Sequence, residues 1–62
     1  MTVSQLEGFV AGVLGHSCYK VTGNDVYIDT DKDARKLCIA LIKQHIMFEA
    51  RFEKPTWQVR VA

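Results

Sequence analysis

Residues 30–53 read TDKDARKLCIALIKQHIMFEARFE, and their hydropathy changes period in the middle. Ala34, Leu37, Cys38, Leu41 and Ile42, with His45 at the end, recur at intervals of three and four, which gathers them on one side of a helix at about 100° per residue. From Ile46 to Glu53 the period is two. Phe48, Ala50 and Phe52 then share one side of a strand, expected to point inward, and Met47, Glu49, Arg51 and Glu53 share the other. Thr30, or Asp31 just after it, supplies an N-cap, and Asp31 and Asp33 suit the positive end of the helix dipole. Arg35, Lys36, Lys43 and Gln44 fill the remainder of the helix surface, with Ile39 an apolar outlier among them. His45 reads as a helix-terminal residue that satisfies a carbonyl.

The pattern continues in both directions. Lys54-Pro55 supplies a turn, after which Trp57, Val59 and Val61 alternate with Gln58 and Arg60. Upstream, residues 17–22 alternate with Tyr19 and Val21 on one side and Cys18 and Lys20 on the other. Gly23-Asn24 forms a turn, and Val26 and Ile28 alternate with Tyr27 and Asp29. Before these strands, residues 3–14 form a helix whose start is capped by Ser4 with Glu7 or by Thr2 with Gln5. Its core face comprises Val3, Leu6, Val10, Val13 and Leu14, with Phe9 at the edge. Two helix-strand-strand units thus follow one another. The expected fold is α+β, α-β-β-α-β-β, with one four-stranded antiparallel sheet in the order 1-2-4-3 and both helices on one face. A right-handed crossover through the second helix is expected to set residues 26–29 parallel, or nearly so, to the last strand.

Sixty-two residues make a single domain, 1–62, with room for one core. Small domains bury little apolar surface against an ordering cost of about 1.5 kcal/mol per residue, so association is expected before any motif is read. Eight basic and seven acidic residues give a net charge of +1, which provides no general attraction to nucleic acid or anionic membrane. Met1 leads directly into an amphipathic helix rather than a signal sequence, and no apolar run has membrane-spanning length. The expectation is a soluble, cytoplasmic protein with no membrane partner. Cys18 and Cys38 read as reduced thiols behaving as small hydrophobes. The spacing His16-x-Cys18 and Cys38-x6-His45 fits no zinc pattern. Asp29, Asp31 and Asp33 lack the glycine and closing glutamate of a calcium loop. No metal and no cofactor are expected.

Opposite its core face, the first helix carries Ser4, Gly8, Ala11, Gly12 and, at its end, Gly15, where a surface helix should carry charge. A helix-interior glycine costs about 1 kcal/mol relative to alanine, so the stripe is expected to be a homodimer contact. The open sheet face should show Cys18, Lys20, Tyr27, Asp29, Met47, Glu49, Arg51, Glu53, Gln58 and Arg60. Lys20, Arg51 and Arg60 are candidates for nucleic-acid contact, and Tyr27 with Met47 for a small protein-binding patch. Balanced charge and a single exposed aromatic argue against an RNA-stacking sheet. Glu49 and Glu53 stand about 13 Å apart along a strand, too far for a carboxylate dyad, and no catalytic constellation is formed.

The stretch Leu6-Glu7-Gly8-Phe9-Val10-Ala11-Gly12 resembles the start of the LAGLIDADG motif, and residues 26–61 are similar in pattern to that family's repeat unit. The resemblance implies that the first helix packs against its counterpart in a second subunit and that the open sheet lies along a DNA groove. It also implies that the family's acidic metal-binding positions fall at Ala11 and Val13, which leaves no nuclease activity. Two functions are therefore carried forward. One is a non-catalytic homodimer contacting nucleic acid through its sheet, and the other is an inhibitor or adaptor module that binds another protein.

Overall fold

The structure, a computed structural model, describes residues 2–15 and 17–62. Its elements are α1 (Val3–Leu14), β1 (Tyr19–Thr22), β2 (Asp25–Ile28), α2 (Asp31–Lys43), β3 (Phe48–Glu53) and β4 (Thr56–Val61). The strands form one sheet in the order β1-β2-β4-β3, and every pairing is antiparallel. The α+β class, element order and strand order are those expected from the sequence. The expected parallel relation of β2 and β4 is not found, because they pair antiparallel with Val26 opposite Val59. The strand parallel to β2 is β3, since both run antiparallel to β4. The crossover through α2 therefore passes over β4, which inserts between the two strands that the crossover joins.

Each helix start is set by local hydrogen bonding. At α1, Thr2 and not Ser4 is the cap: its hydroxyl accepts from the Gln5 N–H at 3.1 Å, and Gln5 Oε1 accepts from the Thr2 N–H at 2.9 Å. Ser4 lies one residue inside the helix. At α2, Thr30 Oγ1 accepts from the Asp33 N–H at 3.4 Å and donates to Asp33 Oδ2 at 2.8 Å. Trp57 Nε1 donates to Asp31 Oδ1, which ties β4 to the first turn of the same helix. That turn holds both acidic residues of the helix, and the last turn holds Lys43, so both charges oppose the dipole correctly.

The end of α2 is less orthodox. His45 N–H donates to the Ile42 carbonyl at 3.0 Å and Ile46 N–H to the Leu41 carbonyl at 3.0 Å, a Schellman arrangement. His45 occupies the left-handed position of that motif, φ 58°, where glycine is usual. A carbonyl is indeed satisfied, as the sequence suggested, but by the backbone of His45. The turn aims Ile46 back against the core.

Among the described residues ten side chains are buried: Leu6, Val10 and Leu14 from α1, Ala34, Leu37 and Leu41 from α2, Val26 and Ile28 from β2, and Val59 and Val61 from β4. None comes from β1 or β3, the sheet's edges. Tyr19, Val21, Phe48 and Trp57 flank this core, half-buried. Several expected core residues lie outside it. Val3, at the helix start, is 43% exposed, and Ile42 is 61% exposed because it stands at the margin of the α2 face. Ala50 and Phe52 are on the helix side of the sheet but reach past the helices. Phe52 is 50% exposed, and its ring centroid lies 4.9 Å from that of Trp57, directly across the strand pair.

Since an L-residue in the left-handed region is strained by about 1 kcal/mol, His45→Gly should raise unfolding stability by up to about that amount. Urea denaturation checks this, and an unchanged midpoint would show that the histidine side chain offsets the strain.

Candidate binding surfaces

The sheet register arranges the open face into cross-strand rows. One row runs Lys20, Tyr27, Gln58, Arg51 and the next Thr22, Asp25, Arg60, Glu49, each from β1 through β2 and β4 to β3. Asp29 and Thr56 meet beyond them, with Thr56 Oγ1 donating to Asp29 Oδ1 at 3.4 Å. Lys20, Tyr27, Arg51 and Arg60 thus all stand on this face, as the alternation requires. Met47 precedes β3 and is 77% exposed. It is two strands away from Tyr27 and four residues up the chain from Arg51, about 10 Å across and about 13 Å along, so the two do not form one patch.

Two of the three bases of this face, Arg51 and Arg60, are already engaged. Arg60 Nε donates to Asp25 Oδ1 at 2.9 Å, and Glu49 flanks Arg60 on its other side. Arg51 lies between Glu49 and Glu53, at 3.8 and 4.0 Å. Asp25 is the residue that the sequence reading left out, hidden beside the Gly23-Asn24 turn. Its side-chain hydrogen bond from Arg60 holds its carboxyl below the usual aspartate range, and the same bond pushes the Arg60 guanidinium up. With Asp25 counted, Lys20, Arg51 and Arg60 face four acids, Asp25, Asp29, Glu49 and Glu53, so the open face is slightly acidic. A hollow of ≈ 60 Å³ lies among Glu49, Arg51, Gln58 and Arg60, room for a few waters.

The other face of the molecule presents α1 and α2. Ser4, Gly8, Ala11, Gly12 and Gly15 are all exposed. A Cβ placed on Gly8 or Gly12 would meet nothing within 4 Å among the described residues, so neither glycine is required by packing against them. Gly15 differs: it caps α1 at φ 61°, and its N–H donates to the Ala11 carbonyl at 2.9 Å, so backbone geometry accounts for it. Gly12, in contrast, is inside the helix and does not terminate it.

Cys18 is an exposed free thiol, and Cys38 is a half-buried one on α2 whose pKa burial pushes up. His16 lies outside the described residues. Among the described residues no three His, Cys, Asp or Glu side chains converge as metal ligands, and no helix is long and apolar enough to cross a membrane. No protein-family model matches the sequence, and no curated protein or solved structure does.

The Asp25 carboxyl is lowered in the folded chain, so the stability it contributes is complete above the ordinary aspartate value of 3.8 and is lost as pH falls below it. Wild type should melt above Asp25→Asn at pH 7, and the difference should shrink progressively as pH falls below 3.8. Equal melting points across that range would mean that the Arg60 contact contributes nothing. Iodoacetamide should alkylate Cys18 at least about tenfold faster than Cys38 at neutral pH, read by peptide mass spectrometry.

Proposed function

We propose that this chain is a non-catalytic binding protein that acts as a homodimer, pairing through the small-residue face of α1 and offering its open sheet to a protein partner. The observation that carries the reading is the open space around Gly8 and Gly12. Two helix-interior glycines cost about 1 kcal/mol each relative to alanine, and no contact among the described residues accounts for them. A second helix lying across Ser4, Gly8, Ala11 and Gly12 would, because small residues let backbones approach closely. The resemblance of residues 6–12 to a LAGLIDADG helix, which packs in this manner, supports the same pairing. Gly15 belongs to the end of the stripe through its capping role.

The nature of the sheet's partner follows from its charge. A nucleic-acid surface releases counterions by offering unpaired cations. Arg51 and Arg60 are held by their own neighbours, which leaves Lys20 without an ion pair among the described residues. The alternating charges of Asp25, Arg60 and Glu49, in the row beside Tyr27 and Gln58, suit a polar protein surface, where complementary charge sets register and specificity. The LAGLIDADG resemblance favours nucleic acid as the ligand of this same face, and one titration separates the two.

Light scattering should give twice the 7.0 kDa mass of one chain. Gly8→Ala is the sharper variant. On an idle surface it should raise stability by about 1 kcal/mol, whereas in a close helix pair the added methyl should weaken association. Monomeric wild type, or a stabilised and unchanged Gly8→Ala, would remove the pairing. Gel shift against random duplex DNA at about 50 mM salt should show no complex, and a salt-sensitive complex that Lys20→Ala weakens would assign the sheet to nucleic acid.

A further inference from the structure

The chain's basic surplus sits on α2, away from the sheet. At about 100° per residue, Lys32, Arg35, Lys36, Ile39 and Lys43 fall on one outward stripe, opposite Ala34, Leu37 and Leu41. None of the four bases is in an ion pair among the described residues. The only acids of the helix, Asp31 and Asp33, are in its first turn, where Trp57 and Thr30 donate to them. Within the basic stripe Ile39 stands 54% exposed.

Two shallow hollows run along this stripe and meet at Lys36 and Ile39. One, of ≈ 370 Å³, lies between the helices over Gly12, Val13, Ile39 and Ala40, with Lys36 and Lys43 at its rim. The other, of ≈ 540 Å³, continues towards the start of α2 past Lys32 and Arg35. The trough spans residues 31–43, about 18 Å of helix at 1.5 Å per residue; its rim is cationic, its apolar floor is the first hollow with Ile39, and Asp31 lines its far end.

We propose that this trough binds an acidic amphipathic helix of a partner protein, the apolar side of that helix seated on Ile39, Val13 and Ala40 and its carboxylates facing Lys32, Lys36 and Lys43. Charge complementarity selects this occupant. A second copy laid face to face would oppose Lys36 and Lys43 to their own counterparts, and the chain offers no unpaired acidic strip for them. A nucleic-acid backbone would satisfy the bases but has nothing apolar to cover Ile39. Gly12 lines this hollow and puts no side chain into it, which leaves room for the apolar side of a helix in the groove. This site is separate from the open sheet; it borders the α1 pairing face at Gly12 and does not depend on that pairing.

The test is fluorescence anisotropy with a labelled peptide of about 14 residues, leucine at i, i+3, i+4 and i+7 spacing and glutamate between. The comparison probes are the same peptide with lysine for glutamate, polyglutamate, and duplex DNA of about 20 base pairs. The acidic amphipathic peptide should bind at about 50 mM salt, and the other three should bind at least about tenfold more weakly. The exposed double variant K36E/K43E should weaken the acidic peptide by at least about tenfold and gain affinity for the lysine peptide, and Ile39→Ser should weaken the acidic peptide alone. Circular dichroism and light-scattering mass on the same samples establish that each variant is folded and in what state, so failed pairing is read separately from failed peptide binding. No binding at about 0.2 mM protein, equal binding of polyglutamate or DNA, or indifference to charge reversal would overturn the proposal.

Discussion

The antiparallel pairing of β2 with β4 is the constraint on which the rest of the structure depends. Val26 faces Val59 across that pair, and these two strands, with the two helices, supply every fully buried side chain among the described residues. The pairing places β4 between the two strands joined by the crossover, which leaves β3 at one edge, while β1, paired with β2 alone, forms the other. Once there, their helix-side residues can be only half covered. Phe52 then leans on Trp57, and Trp57 is itself tied to Asp31 at the start of α2. One pairing therefore sets the core, the exposure of the edges and the angle at which α2 docks.

A separation of charge follows from the same arrangement. Antiparallel neighbours on the open face stand close enough for cross-strand ion pairs, and Asp25, Arg60 and Glu49 occupy successive positions across three strands. Their charges are consumed within the sheet. On α2 the acids gather at the first turn, where the helix dipole and the Thr30 cap favour them, while the bases continue down the outer stripe. A chain of net charge +1 thus has a nearly balanced sheet and a cationic helix face.

Much of this was legible in the sequence because period and punctuation are local. The change from helical to strand spacing near His45, the Gly23-Asn24 and Lys54-Pro55 turns and the caps fixed the elements to within a few residues and gave the strand order. What period cannot convey is coverage. Ile42, Val3, Ala50 and Phe52 have the right phase for the core, but their burial depends on whether another element extends over them. Relative strand direction across the crossover was misjudged for a similar reason, since it depends on which strand inserts beside β2. Asp25 was missed because its neighbours belong to a turn, and its role appears only when Arg60, 35 residues away, is placed beside it. The small-residue stripe on α1 was visible as a pattern, yet only the cap geometry separates Gly15 from Gly8 and Gly12.

Trp57 is the chain's only tryptophan, and it joins three elements at once: it belongs to β4, its ring meets Phe52 of β3, and its indole N–H reaches α2. In optical terms the fold contains its own reporter. Emission from this one indole is sensitive to the aromatic contact on one side and the carboxylate on the other, so a helix that lifts from the sheet and a hairpin that frays would change it in different ways. Unfolding followed by this emission would therefore report on the junction of helix and hairpin without any label being introduced.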